Sequence, residues 1–190
     1  LGGGSSDAAA TLNGLNKLWD LGFGRNELQS MASRLGSDVS FFLRGGTALL
    51  SGRGDCVEYL PPAVMGHVVI LSPRIYLRNK TKSLYSIISP KQYTNGDLTR
   101  ELAMRISDGE EVLPIFLGNV FDEVCRNVFE GIDEYWETLH SISSETIHVT
   151  GSGPSLFLIV DDEEQGAIIH STLKRDYGWR SHFVSVWHPE

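Results

Sequence analysis

Three consecutive glycines running into a helix-forming segment constrain this chain more than any other feature: Leu1-Gly2-Gly3-Gly4-Ser5-Ser6-Asp7-Ala8-Ala9-Ala10. With no Cβ atoms, the backbone of Gly2–Gly4 turns tightly and lets a bulky group come close. Ser5 or Ser6 then reads as an N-cap, with Asp7 in the first turn suiting the positive end of the helix dipole. Ala8, Leu12, Leu15 and Trp19 recur at helical spacing, which predicts an amphipathic helix over about 5–21. A loop of this kind aims unpaired N–H groups at whatever it holds, and phosphate is the usual guest. The same letters also describe a flexible linker entering a capped helix, and the loop alone does not separate the two readings. It is neither a G-x-x-x-x-G-K-[ST] loop nor a G-x-G-x-x-G fingerprint, so any cation that works with it comes from elsewhere.

Bulk properties narrow the function classes. A length of 190 residues suits one sizeable domain or two small ones, and 41% hydrophobic content supports a packed core. A net charge of −8 argues against nucleic acid or an anionic membrane surface as the main partner, while leaving room for a local nucleotide site. Cys56 and Cys125 form no C-x-x-C and read as two small buried hydrophobes in a reducing cytoplasm. The histidines show no metal-ligand spacing, and no apolar run is long enough to span a membrane. The chain opens at Leu1, without Met and directly in the glycine loop, so it is expected to be a piece of a longer protein.

Further along, Asn26 reads as the cap of a second helix carrying Leu28, Met31, Ala32 and Leu35. Gly36-Ser37-Asp38 interrupts it before the apolar run Val39–Leu43. Two short strands are expected within 45–60, around a turn at Gly52–Asp55, and Pro61-Pro62 marks a boundary. The expected domains are therefore 1–62 and 63–190. In the second, a strand at 67–71 precedes a polar stretch with Arg74, Arg78, Lys80 and Lys82, read either as a phosphate contact or as a solvated loop. Helices are expected at 81–88, 97–106, 114–130 and 133–141, strands at 146–150 and 155–160, a helix at 162–175 and a strand at 181–187. That order is an α+β, split βαβ (ferredoxin-like) layout with extra helices inserted after its first strand.

Asp38 is the acid that stands out. A carboxylate between a glycine and an apolar run, facing a partly desolvated pocket, is placed to take the proton from an attacking hydroxyl. Equally, Asp38 reads as the cap of a short helix at 39–43, and local sequence favours that reading. Gly151-Ser152-Gly153, pinned by Pro154, is either an ordinary hairpin turn or a second backbone wall near a ligand.

Taken together, "LGGGSSDAAATLNGLNKLW", "RLGSDVSFFLRGGTALLSGRGD" and "TGSGPSLFLIV" resemble the second motif, the following segment and the third motif of the GHMP kinases. "TKSLY" at 81–85 and "GNVFDEV" at 118–124 are weaker echoes, and the resemblance runs over essentially the whole chain. It implies the remainder of an N-terminal α/β ATP-binding domain followed by a ferredoxin-like C-terminal domain. The match is closest to members that phosphorylate the 2-hydroxyl of 4-diphosphocytidyl-2-C-methyl-D-erythritol. Kinases acting on homoserine or a mevalonate derivative, or a non-catalytic nucleotide-binding module, are the alternatives. The resemblance further implies ATP and Mg²⁺ as cofactors and a small CDP-linked polyol as partner, with no nucleic acid or membrane and with a homodimer left open. Leu1, Gly2, Gly3, Gly4, Ser5 and Ser6 would wrap the ATP phosphates, and Asp38 would be the base, which overturns the local preference for a cap. The family's first motif, with its lysine, is absent from these residues. No lysine present sits in a matching motif, so the piece alone is expected to turn over little.

Overall fold

The structure is a computed structural model and describes residues 1–186. Its contacts divide the described chain into two units, Leu1–Ala63 and Val64–Val186. The last expected strand residue, Trp187, lies outside the described residues.

In the first unit, α1 (Gly3–Leu18), α2 (Arg25–Leu35) and the single-turn α3 (Val39–Phe42) pack on one another. Small residues let them approach: Ala9, Ala32 and Val39 are buried at the contact, with Ala8, Leu12, Phe42 and Leu43 around them. Trp19, expected on the buried face of α1, is instead exposed, because the helix ends at Leu18 and the chain turns away through Asp20 at positive φ. The second helix starts at Arg25. Its cap is Gly24 and not Asn26, since the Glu27 carboxylate reaches back to accept from the Gly24 N–H at 2.7 Å. β1 (Thr47–Ser51) and β2 (Cys56–Leu60) then form an antiparallel hairpin, Thr47 opposite Leu60 and Ser51 opposite Cys56.

The second unit is built on β3 (His67–Leu71), β4 (His148–Val149), β5 (Leu156–Val160) and β6 (Ser181–Val184). Their order is β4-β5-β3-β6 with every pairing antiparallel, which is the split βαβ arrangement. The fold is thus α+β, as expected. Between β3 and β4 run α4 (Lys80–Ile87), α5 (Asp97–Ser107), α6 (Val120–Val124) and α7 (Ile132–Ile142), and α8 (Glu163–Arg175) joins β5 to β6. The helix expected over 114–130 is broken into a 3-10 turn at Pro114–Phe116, α6 and a second 3-10 turn at Cys125–Asn127. Asn119 is the reason: its backbone is extended and its side chain caps α6 by accepting from the Phe121 N–H at 3.0 Å. At the other end of the unit, Asp162 caps α8 through the Glu164 and Gln165 N–H groups. Gly166 lets α8 lie directly on the sheet, since a Cβ there would meet the Phe183 ring and Val160 Cγ2 at 2.8 Å.

Alternating apolar residues of the strands and the inner faces of α7 and α8 close one core, with Leu71, Phe129, Ile132, Leu156, Leu158 and Leu173 almost wholly buried. Cys125 belongs to it and Cys56 does not: Cys56 ends the hairpin turn and is exposed, against the expectation that both thiols are buried. Burial, reinforced by the Asp122 carboxylate, pushes the Cys125 thiol up from 9.0 to about 11. At pH 8 an aromatic disulfide reagent should therefore modify one thiol of the native protein, Cys56, and reach Cys125 only in denaturant. The folded state also holds the Cys125 proton longer than the unfolded one does. Its contribution to stability is therefore complete below about pH 9 and is lost as pH rises to about 11, which urea titrations at pH 8 and 10.5 will register.

Candidate active site

The opening loop meets α1 at Gly2, whose φ of 68° and ψ of 20° place it in the left-handed region. That conformation is open to glycine at little cost and strains other residues. Neither serine is the N-cap: Gly2 takes that place, and Ser5 and Ser6 lie inside the helix. Gly3 and Gly4 have adopted helical geometry themselves, so the first turn begins two residues earlier than the serines suggest. Asp7 consequently falls beyond the first turn. The first intrahelical bond runs from the Ser6 N–H to the Gly2 carbonyl at 2.9 Å, and the Ser6 hydroxyl donates to the Gly3 carbonyl at 2.8 Å. This leaves the N–H groups of Gly3, Gly4 and Ser5 without a protein acceptor among the described residues, at the positive end of a 16-residue helix. Leu1 is exposed beside them.

What a side chain would meet at each glycine separates their roles. At Gly2 a Cβ would strike the Phe42 ring at 2.7 Å, whereas at Gly3 and Gly4 it would meet nothing within 4 Å. Packing therefore demands glycine only at Gly2. The absence of side chains at Gly3 and Gly4 keeps open the space in front of the free N–H groups, and a polyphosphate fits such a surface.

Phe42 ties Asp38 to this loop. The Phe42 N–H donates to the Asp38 carbonyl at 3.4 Å, so Asp38 lies one helical turn before the ring that touches Gly2, on the same face of α3. Phe42, one turn after Asp38, is thus the residue of α3 that packs on the glycine loop. Asp38 occupies the N-cap position of α3, yet its carboxylate caps nothing and makes no hydrogen bond or ion pair among the described residues. It is exposed, not set in a desolvated pocket as its apolar neighbours suggest. Val39 and Ser40 turn inward, which leaves Asp38 on the outer side of the turn.

In the second unit, the turn between β4 and β5 is held by Asn119 and Asp122, to which the sequence alone assigns no role, and by Lys80, one of the basic residues expected to meet phosphate or line a solvated loop. Gly151 and Gly153 both have positive φ, and the Gly153 N–H donates to the Thr150 carbonyl at 3.0 Å. Asn119 Nδ2 donates to the Val149 and Gly151 carbonyls, each at 2.8 Å, and Asp122 accepts from the Val149 N–H at 2.6 Å and faces His148 Nδ1 at 3.4 Å. Lys80 Nζ donates to the Gly153 carbonyl, and burial lowers the pKa of its ammonium below the ordinary lysine value. Asn119 and Asp122 also line a cavity of about 910 Å³ with Tyr85, Lys91, Gln92 and Tyr93. The signals for this brace were the "TKSLY" stretch beside Lys80 and the "GNVFDEV" stretch, whose polar residues form no periodic pattern that points to a hairpin thirty residues away.

The family profile described as "GHMP kinases N terminal domain" matches residues 1–46. A 4-diphosphocytidyl-2-C-methyl-D-erythritol kinase of Dehalococcoides mccartyi is 36% identical over the whole chain, which spans 66% of that relative. The enzyme of the same name from Brevibacillus brevis is 33% identical over 92% of the chain and 59% of its own length. The chain thus spans somewhat less than two thirds of the relatives it matches. In fold it is similar to a crystal structure of 4-(cytidine 5'-diphospho)-2C-methyl-D-erythritol kinase, with a TM-score of 0.75 at 24% identity over 96% of this chain and 64% of that one. It is also similar to homoserine kinase from Cytophaga hutchinsonii, with a TM-score of 0.65 at 17% identity over 93% of this chain and 62% of that one.

The opposed environments of the glycines generate a paired prediction. Gly2→Ala should destabilise the protein by about 1–3 kcal/mol, the cost of a left-handed residue with a side chain. Gly3→Ala should stabilise α1 by up to about 1 kcal/mol through helix propensity. Chemical denaturation of both variants measures the difference, and equal effects would contradict the geometry.

Proposed function

The chain belongs to the GHMP kinase family, and from that premise we propose that it is the larger part of an ATP-dependent kinase acting on 4-diphosphocytidyl-2-C-methyl-D-erythritol. The substrate assignment is supported by the kinase activity for which relatives at 33–36% identity are named. The mechanism is supported by one observation: Asp38, whose side chain makes no hydrogen bond or ion pair among the described residues, lies one turn before Phe42, whose ring packs on Gly2.

ATP would supply the phosphoryl group, and Mg²⁺ bound with it would offset the charge of its triphosphate. Gly3, Gly4 and Ser5 offer three N–H donors, and Gly2 and Ser6 shape the turn around them. Charge-assisted bonds to phosphate oxygens contribute about 1.5–3 kcal/mol each and orient the transferred group. Asp38 accepts the proton of the acceptor 2-hydroxyl as its oxygen bonds to phosphorus and the bond to the departing ADP oxygen breaks. Loose phosphoryl-transfer transition states need little more from a protein than position and charge compensation. The exposure of Asp38 suits this role, since its base is then open to an incoming polyol. We place this activity in the cytoplasm.

Asp38→Asn removes the proton acceptor and keeps the shape. In a polypeptide completed to the length of the relatives, it should lower kcat by about 10²–10⁴. The KM for ATP should stay within about twofold and the unfolding midpoint should be unchanged, because the carboxylate supports no contact. Steady-state assays with the CDP-linked substrate check this, and an undiminished kcat would remove Asp38 from the mechanism.

A further inference from the structure

The first unit carries a second concave surface, built from α1, α2, the end of α3 and β2. It encloses about 290 Å³, and its polar lining comes from Asn13, Arg25, Gln29, Arg44 and Tyr59, with Leu28 and Leu43 as its apolar part. No carboxylate lines it. In a chain with 24 acidic and 16 basic residues, two arginines meeting in one cavity without an acid is a departure from the surrounding charge balance.

Arg100, Arg105, Arg126 and Arg175 each pair with an aspartate or glutamate, whereas Arg25 and Arg44, like Arg34, Arg53, Arg74, Arg78 and Arg180, form no ion pair among the described residues; Arg25 and Arg44 alone of these line this cavity together. Arg44 is held in place by a different contact, its guanidinium lying over the Tyr59 ring at 4.4 Å. Stacking of this kind orients the plane of the fork and leaves its in-plane N–H groups free. Asn13 Nδ2 donates to the Leu43 carbonyl at 3.0 Å, which fixes that wall and leaves the Asn13 amide a further donor hydrogen.

We propose that this cavity binds a small molecule bearing a phosphate dianion, with Arg25 and Arg44 as the paired guanidinium ligands. Two planar forks match a tetrahedral dianion bidentately, and the leucines cover a short organic group attached to it. The cavity is distinct from the glycine loop. Asn13 lies ten residues beyond Gly3 on the same helix, roughly 15 Å at 1.5 Å per residue, too far for one small anion to touch both. Occupancy would brace α2 against the end of α3, the turn that follows Asp38.

The test is a titration of the 190-residue protein with inorganic phosphate and, separately, with glycerol 2-phosphate, at ionic strength held constant with NaCl and followed by backbone amide NMR. Saturable shifts at Arg25, Gln29, Arg44 and Tyr59 are expected, fitting one dissociation constant and independent of any shifts at Gly3–Ser5. Tighter binding of the monoester points to a phosphorylated metabolite and equal binding to free phosphate; both support the site. Arg25→Gln and Arg44→Gln should each weaken binding at least about tenfold, and Arg44→Lys should recover part of the loss. Arg25 is exposed at the start of α2, so its variant keeps the test decisive should Arg44→Gln unfold. Shifts that fail to saturate, that are confined to the glycine loop, or that persist unchanged in both glutamine variants would overturn the proposal.

Discussion

The contact between the Phe42 ring and the bare Cα of Gly2 couples everything that gives the first unit a functional reading. It requires a residue without Cβ at the loop and a left-handed backbone there, which in turn sets the direction in which α1 leaves. It also requires α3 to present Phe42 at a fixed height, and Asp38 follows one turn earlier because a helix permits no other position. Loop and acid come from stretches separated by more than thirty residues, and a single aromatic side chain registers one against the other. The small residues Ala9 and Ala32 are part of the same constraint, since only small side chains let α1, α2 and α3 approach closely enough for that ring to reach the loop.

A comparable economy holds in the second unit. The turn after β4 contains two glycines in left-handed conformations and would be loosely held as an isolated hairpin. Asn119 satisfies two of its carbonyls while capping α6, Asp122 takes the Val149 N–H, and Lys80 takes the Gly153 carbonyl. Each donor or acceptor removed would leave a partly buried backbone group unpaired, which costs more than the bond itself contributes. The inserted helices therefore serve as the mount for the turn as well as the cover of the sheet.

Much of this was legible beforehand. The strand at 67–71, the helix over 162–175 and the four-strand layout follow from periodicity, because that signal is local and a single face of each element is buried. The helix over 114–130 failed for an equally physical reason: its apolar spacing is helical, but Asn119 uses its side chain to start a new helix and its extended backbone cannot continue an old one. Cys56 and Trp19 were misplaced because a hydrophobic residue at the end of an element is buried only if something lies over it.

What the amino-acid sequence by itself determined is the inventory: a glycine loop before a helix, an acid between a glycine and an apolar turn, a second glycine turn between strands, and the α+β order that mounts them. Tertiary structure decided which glycine is required by packing and which two keep space open, that Asp38 caps nothing, and that two arginines nineteen residues apart line one cavity without a carboxylate. The division has one cause. Dihedral preference and periodicity act between neighbours in the chain, whereas the environment of a side chain is set by elements that meet only after the helices have packed.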